Sequence, residues 1–187
     1  MNSNITNSDH PIQTATLGNG CFWCTEAIFQ QVEGVVSVTS GYSGGHTDNP
    51  DYKSVCTGET GHAECLEIRF DESVLPFEKL LEIFWETHDP TTLNRQGNDT
   101  GTQYRSVIFF HNDQQKQIAE KYIRQLNQSG IFANPVVTTL EPFTVFYPAE
   151  KYHQDYYLLN KNAPYCQFVV KPKVEKFRKE FGEIIKK

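Results

Sequence analysis

Apolar and polar residues alternate over positions 12–17 and run into Gly18-Asn19-Gly20. Apolar residues at Phe22, Ala27, Ile28 and Val32 then follow at helical spacing. This change of period, from two to about 3.6 across a glycine-broken turn, constrains the fold more than any other feature of the chain. It commits the chain to a strand that feeds a helix, and it sets Cys21 at the helix start. Gly34 is a natural helix stop, and positions 35–41 read as the next strand.

Further on, a Gly/Asn/Pro-rich loop carries Tyr42, Gly44, Gly45, Asn49, Pro50 and Tyr52, and positions 62–70 are strand-like. A helix is expected over 76–87, with Pro76 at its start and Leu80, Leu81, Phe84 and Trp85 on its apolar face. Positions 88–103 are polar and aperiodic. A structureless stretch of that length is uncommon in a compact domain, so it reads either as a functional loop or as a solvated connection. A strand over 104–110 and a helix over 112–129, capped by Asn112 or Asp113 and ended by Gly130, come next. Two short strands (136–140, 143–147), a helix (149–160), an extended piece (166–170) and a helix (172–187) complete the pattern.

At 187 residues the chain suffices for one core. The expected fold is α+β: a single-domain two-layer sandwich with a ferredoxin-like, mixed but mostly antiparallel sheet and covering helices. Residues 1–10, polar and without Lys or Arg, read as a flexible tail rather than a secretory signal, and 11–187 as the catalytic domain. The net charge of −6 argues against nucleic acid as a partner, and no apolar run approaches the length of a membrane span. Five cysteines, an odd number, fit reduced thiols in a cytoplasmic protein better than a secreted disulfide scaffold.

Chemistry concentrates in Gly20-Cys21-Phe22-Trp23-Cys24. The free N–H groups and dipole of a helix start favour an anion, so Cys21 is expected to ionise readily and act as a nucleophile. Cys24 completes a C-x-x-C whose sulfurs lie within disulfide reach on a first helical turn. No second C-x-x-C or suitably spaced His pair accompanies it, so no zinc site is expected. Glu64 shares a strand face with Leu66, Ile68 and Phe70. It is either a carboxyl held neutral by apolar neighbours or a solvated residue at the strand's exposed end. Tyr52, Asp99, Tyr104 and His153 are weaker polar candidates. Cys56 and Cys65 are assigned to packing, and His46 and His111 to the surface. C-x-x-C at a strand-to-helix turn also suits a thioredoxin-like disulfide oxidoreductase, although there Trp precedes the first cysteine, whereas here Trp23 lies between the two.

From about Ala15 to Phe181 the chain resembles peptide methionine sulfoxide reductase A. The similarity runs through Gly20-Cys21-Phe22-Trp23, Gly41-Tyr42-Ser43-Gly44-Gly45, Thr60-Gly61-His62-Ala63-Glu64, Phe84-Trp85-Glu86-Thr87-His88-Asp89-Pro90, Arg95-Gln96-Gly97-Asn98-Asp99, Gly101-Thr102-Gln103-Tyr104-Arg105-Ser106 and Tyr152-His153-Gln154-Asp155-Tyr156. The resemblance implies that Cys21 attacks the sulfoxide sulfur and Glu64 protonates its oxygen. It implies that Tyr52 and Tyr104 hydrogen-bond that oxygen, that Asp99 holds the polar network, and that Phe22 and Trp23 receive the S-methyl group. The resulting sulfenic acid would be resolved by Cys166, whose Pro-flanked segment could swing in. Cys24 would be a second resolving or relay thiol. Thioredoxin would be the external reductant of a monomer with no bound cofactor. The S epimer of methionine sulfoxide in proteins would be the substrate, with use of the free amino acid left open.

Overall fold

The computed structural model describes residues 11–187; the expected tail at 1–10 lies outside the described residues. Strand β1 (Ile12–Asn19) leads through Gly20 into α1 (Phe22–Phe29), and β2 (Val35–Ser43) follows. After α2 (Tyr52–Cys56) come β3 (Ala63–Asp71), α3 (Phe77–Glu86), the two-residue strands β4 (Arg95–Gln96) and β5 (Asp99–Thr100), and β6 (Ser106–Phe110). Helix α4 (Asp113–Ser129), β7 (Thr139–Pro142), β8 (Phe146–Pro148), α5 (Tyr156–Leu159) and α6 (Lys171–Glu180) complete the chain.

Six strands form one sheet in the order β7-β6-β1-β3-β2-β8. Among the described residues only the β6–β7 pair is parallel, as its crossover through α4 requires. The central four strands, with α1 and α3, give the split β-α-β arrangement expected of a ferredoxin-like sheet. Ala15, Leu17, Leu66, Ile68 and Phe70 point to the face where Phe22, Ile28, Leu80, Leu81, Phe84, Ala119 and Phe177 of the helices pack. Each large side chain so buried contributes about 1.5–3 kcal/mol. Ala63, Cys65, Val107 and Phe109 point the other way, where Phe143 and Phe146 cover them.

Register decides what meets at the top of the sheet. β1 pairs β3 antiparallel with Leu17 opposite Leu66, so continuing the ladder sets Asn19, two residues before Cys21, opposite Glu64. Antiparallel pairing of neighbours therefore brings the end of β1 and the start of β3 together. A slip of one residue would turn Glu64 to the far face.

Besides shifted ends, such as α6 stopping at Glu180 rather than running to 187, the structure departs from the sequence reading in four places. Residues 88–103 are not structureless, because β4 and β5 form a small hairpin turned by Gly97 (φ 59°). A short helix, α2, forms inside the Gly/Asn/Pro-rich loop, where Asp51 and Ser54 make a capping box. The helix expected over 149–160 is interrupted at Asp155 (φ 55°), because the Glu26 carboxylate takes the N–H groups of Asp155 and Tyr156. Cys166–Val170 is not extended but a π-helical turn continuous with α6, with Cys166 and Val170 buried. Its aromatic and β-branched residues favour strand, and packing on the core overrides that preference. Cys166 is therefore not on a swinging tail in this reduced state.

Candidate active site

Cys21 caps α1 in an extended conformation (φ −60°, ψ 123°) after Gly20 at φ 102°. A side chain at Gly20 would be strained by that angle and would stand 2.7 Å from Cβ and Cγ of Gln96. The helix start is held from within the sheet: the Thr25 hydroxyl donates to the Asn19 side chain, and the Phe22 N–H donates to Glu64 Oε2 at 3.1 Å. Glu64 is 1% exposed, so the buried alternative of the sequence reading is the one realised. Burial pushes its carboxyl up to about 8, against the lowering effect of the Phe22 N–H and with added repulsion from Asp99 and Cys24. At neutral pH it is an acid with a proton to give.

The thiols behave differently from the sequence expectation. The Cys21 thiol is pushed well up, first by burial, then by its hydrogen bond with Cys24 and by the charges of Glu64 and Cys24. Cys24 is drawn down to about 7, chiefly because the Cys21 thiol hydrogen-bonds it. The helix start does not favour the Cys21 anion enough to offset the loss of water. Of the two thiols, Cys24 is therefore the one that more readily gives up its proton.

Tyr52 and Tyr104 stand half-buried close enough to Glu64 that its charge adds to burial in raising both hydroxyls. Asp99, on β5, accepts the Tyr165 hydroxyl at 2.8 Å, and the same hydroxyl reaches both Cys21 and Cys24. Phe22 and Trp23 stack with Tyr52, each with ring centroids 6.5 Å apart. Tyr156 lies flat on the Trp23 indole at 3.7 Å and Tyr165 meets its edge at 5.6 Å. Thus Cys21, Cys24, Phe22, Trp23, Tyr52, Glu64, Asp99 and Tyr104 converge, while Cys166 lies behind them. Its thiol is raised by burial and then by the charge on Cys24.

The sequence reading gave Tyr165 and Tyr156 no role, since a single tyrosine carries no signal of its own. Cys56 is exposed rather than packed, and its thiol meets the Tyr52 hydroxyl one helical turn away. His111 is not a free surface group, because its Nε2 contacts the Thr16 hydroxyl at 2.9 Å and its ring stacks on Phe143.

A buried neutral acid beside a pair of thiols suits the removal of an oxygen from sulfur. The family model described as peptide methionine sulfoxide reductase matches residues 13–185. The chain belongs to the peptide methionine sulfoxide reductase family. It is 56% identical to the peptide methionine sulfoxide reductase MsrA of Saccharolobus solfataricus over 94% of its own length and 98% of that protein. Among solved structures it is similar to Mxr1 of Saccharomyces cerevisiae in reduced form, with a TM-score of 0.74 and 35% identity. That match covers 89% of this chain and 95% of the other. Mxr1 in complex with Trx2 matches with a TM-score of 0.52 and 25% identity over 83% and 92% of the two chains. The protein is an oxidoreductase that reduces peptide methionine sulfoxide, and the thioredoxin-like oxidoreductase reading of Cys21-x-x-Cys24 is not favoured.

Proposed function

We propose that this chain reduces the S epimer of methionine sulfoxide through the thiols of Cys21, Cys24 and Cys166 in turn. The observation that carries the reading is Glu64: buried, protonated near neutral pH, and tied to the helix that Cys21 begins. The entering sulfoxide oxygen takes the Glu64 proton with Tyr52 and Tyr104 around it, while Phe22 and Trp23 receive the S-methyl group. Cys21 transfers its thiol proton to Cys24 as its sulfur attacks. The S–O bond breaks, methionine leaves, and the oxygen remains on Cys21 as sulfenic acid, so the sulfoxide is reduced by two electrons taken from Cys21. Asp99 holds Tyr165 against the two sulfurs throughout.

Resolution follows from proximity. Cys24 already hydrogen-bonds Cys21, whereas Cys166 interacts with Cys24. Cys24 therefore displaces hydroxide from the sulfenic acid to form Cys21–Cys24. Cys166 then attacks Cys24, freeing Cys21 and leaving a Cys24–Cys166 disulfide. This order reverses the preference for Cys166 as the first resolving thiol. Thioredoxin is the proposed reductant of the final disulfide, supported by the similarity to Mxr1 in its Trx2 complex. Cysteine sulfur supplies both electrons, so the chemistry requires no bound cofactor. A monomer in the cytoplasm, where five free thiols stay reduced, is the proposed setting.

Counting methionine released without any reductant tests the order. A complete relay returns Cys21 to its thiol after one disulfide, so the wild type forms two equivalents of methionine per enzyme. Cys166→Ser stops at one, with a Cys21–Cys24 bond in the peptide map. A Cys21–Cys166 bond in that variant's wild-type counterpart, with no Cys21–Cys24 bond in Cys166→Ser, would sink the order. Release of methionine by Cys21→Ser would sink the mechanism.

A further inference from the structure

Residues 149–156 reach across the aromatic pocket and are held at both ends. The Gln154 side chain accepts the Ser40 N–H at 2.9 Å and donates to the carbonyls of Ser40 and Ala149. The buried Glu26 carboxylate takes the N–H groups of Asp155 and Tyr156. Immediately before these anchors in the chain sits His153, 0% exposed, with its ring 5.2 Å from Phe22, 5.6 Å from Trp23 and 4.4 Å from Tyr52.

The hydrogen-bond chemistry of that ring is determined by its neighbours. The Trp23 indole N–H can only donate, and it points at His153 Nδ1 at 3.0 Å. Nδ1 must therefore be the acceptor, and the single hydrogen of the neutral ring must sit on Nε2. Among the described residues Nε2 has no hydrogen-bond partner, and the group it faces is Glu150 Oε2, 3.4 Å away. Glu150 also accepts the Tyr42 hydroxyl at 3.0 Å and, through Oε1, the Tyr52 N–H at 2.7 Å. The ring hydrogen of a buried histidine is thus aimed at one partly exposed carboxylate, while its other nitrogen orients the indole. The same carboxylate fixes the start of the helix that carries Tyr52.

We propose that Glu150 and His153 form a carboxylate–imidazole relay that positions the Trp23 indole and so shapes the pocket for the substrate's S-methyl group. Both are positioning residues, acting through Trp23 and Tyr52. The inference rests on the proposed role of Trp23 as a wall of that pocket. Replacing Glu150 by glutamine leaves one acceptor oxygen facing three donors. If its amide N–H₂ turns to Nε2, the ring hydrogen must move to Nδ1, where it opposes the indole N–H. Phenylalanine at 153 keeps an aromatic ring but accepts nothing.

The test combines kinetics with an NMR reading of the indole N–H in a Trp85→Phe background, which leaves Trp23 as the one tryptophan. Glu150→Gln and His153→Phe should each raise KM for a methionine sulfoxide peptide about fivefold, as loss of one such hydrogen bond implies. Their kcat should change less, and the Trp23 indole resonance should move upfield. Glu150→Asp, which keeps a carboxylate, should restore part of both. In a Trp23→Phe background, Glu150→Gln should add little further rise in KM. An unmoved indole resonance in both variants, or full multiplication of the two KM effects, would overturn the relay. An unchanged KM in Trp23→Phe alone would instead overturn the pocket reading, and the resonance shift would still report on the relay.

Discussion

In the proposed mechanism two protons govern the chemistry, and they titrate in opposite senses. Glu64 must keep its proton, and its carboxyl is pushed up to about 8 by burial, so activity should fall as pH rises through that value. The thiol pair must lose one proton, and the thiol of Cys24 is drawn down to about 7, so activity should rise through that value. The result is a narrow bell in kcat/KM whose limbs belong to the coupled site rather than to either group alone. Glu64→Gln should remove the alkaline limb and lower kcat/KM by about 10²–10⁴-fold. A profile that keeps its fall above pH 8 in that variant would take the acid role from Glu64. Cys21 stood out in the sequence because a glycine-broken strand–helix turn is a local pattern, whereas the apolar alternation around Glu64 left open whether it is buried or solvated. The ionisation of Cys21 was not legible, because it depends on the burial and the Cys24 partner that only the fold supplies. Tyr165 was invisible for the same reason: its hydroxyl meets Asp99 across 66 positions of sequence.

At the scale of elements, the site depends on a short edge strand. β8 pairs β2 through Gly41–Pro148, Tyr42–Tyr147 and Ser43–Phe146, and the chain passes from it directly into Ala149 and Glu150. Gly41 is where the two strands leave no room. A Cβ there would stand 2.3 Å from Phe146 Cζ and 2.4 Å from the Tyr147 carbonyl oxygen, and the carbonyl is backbone that cannot turn aside. Gly41→Ala should therefore cost about 1–3 kcal/mol by overpacking and push β8 outward. KM should rise with it, since Glu150 would lose its register with Tyr42 and Tyr52. Urea unfolding and steady-state kinetics check both parts, and a variant of wild-type stability would show that β8 moves freely. The sequence pattern located helices α3 and α4 well, because each shows a broad apolar spacing and a start signal of its own. It missed α2 and misread Cys166–Val170 because neither has enough residues to show a period. Tertiary contacts decide such short elements.

For the whole molecule, the two ends of α1 are secured by unrelated parts of the chain. Its start is tied to the sheet by Asn19–Thr25 and Phe22–Glu64, and its end to the C-terminal segment. There Glu33 N–H donates to the Ile184 carbonyl at 2.7 Å, Lys186 N–H to Gln31 at 2.8 Å, and Val32 bridges Ile185. Val32 is wholly buried under that cover. Removing residues 182–187 should break these bonds and uncover Val32, costing about 2–4 kcal/mol. The chemical step of molecules that remain folded should be unaffected, because nothing at the reacting end of α1 depends on the C-terminus. The midpoint of urea unfolding should fall, while the rate of methionine formation in a single turnover at low temperature stays near the wild-type value. A truncated protein that unfolds at the wild-type midpoint would show that the C-terminal segment is not a clamp. Full stability loss accompanied by a slower single turnover would show that the helix transmits the change to Cys21, which the separate anchoring of its start argues against.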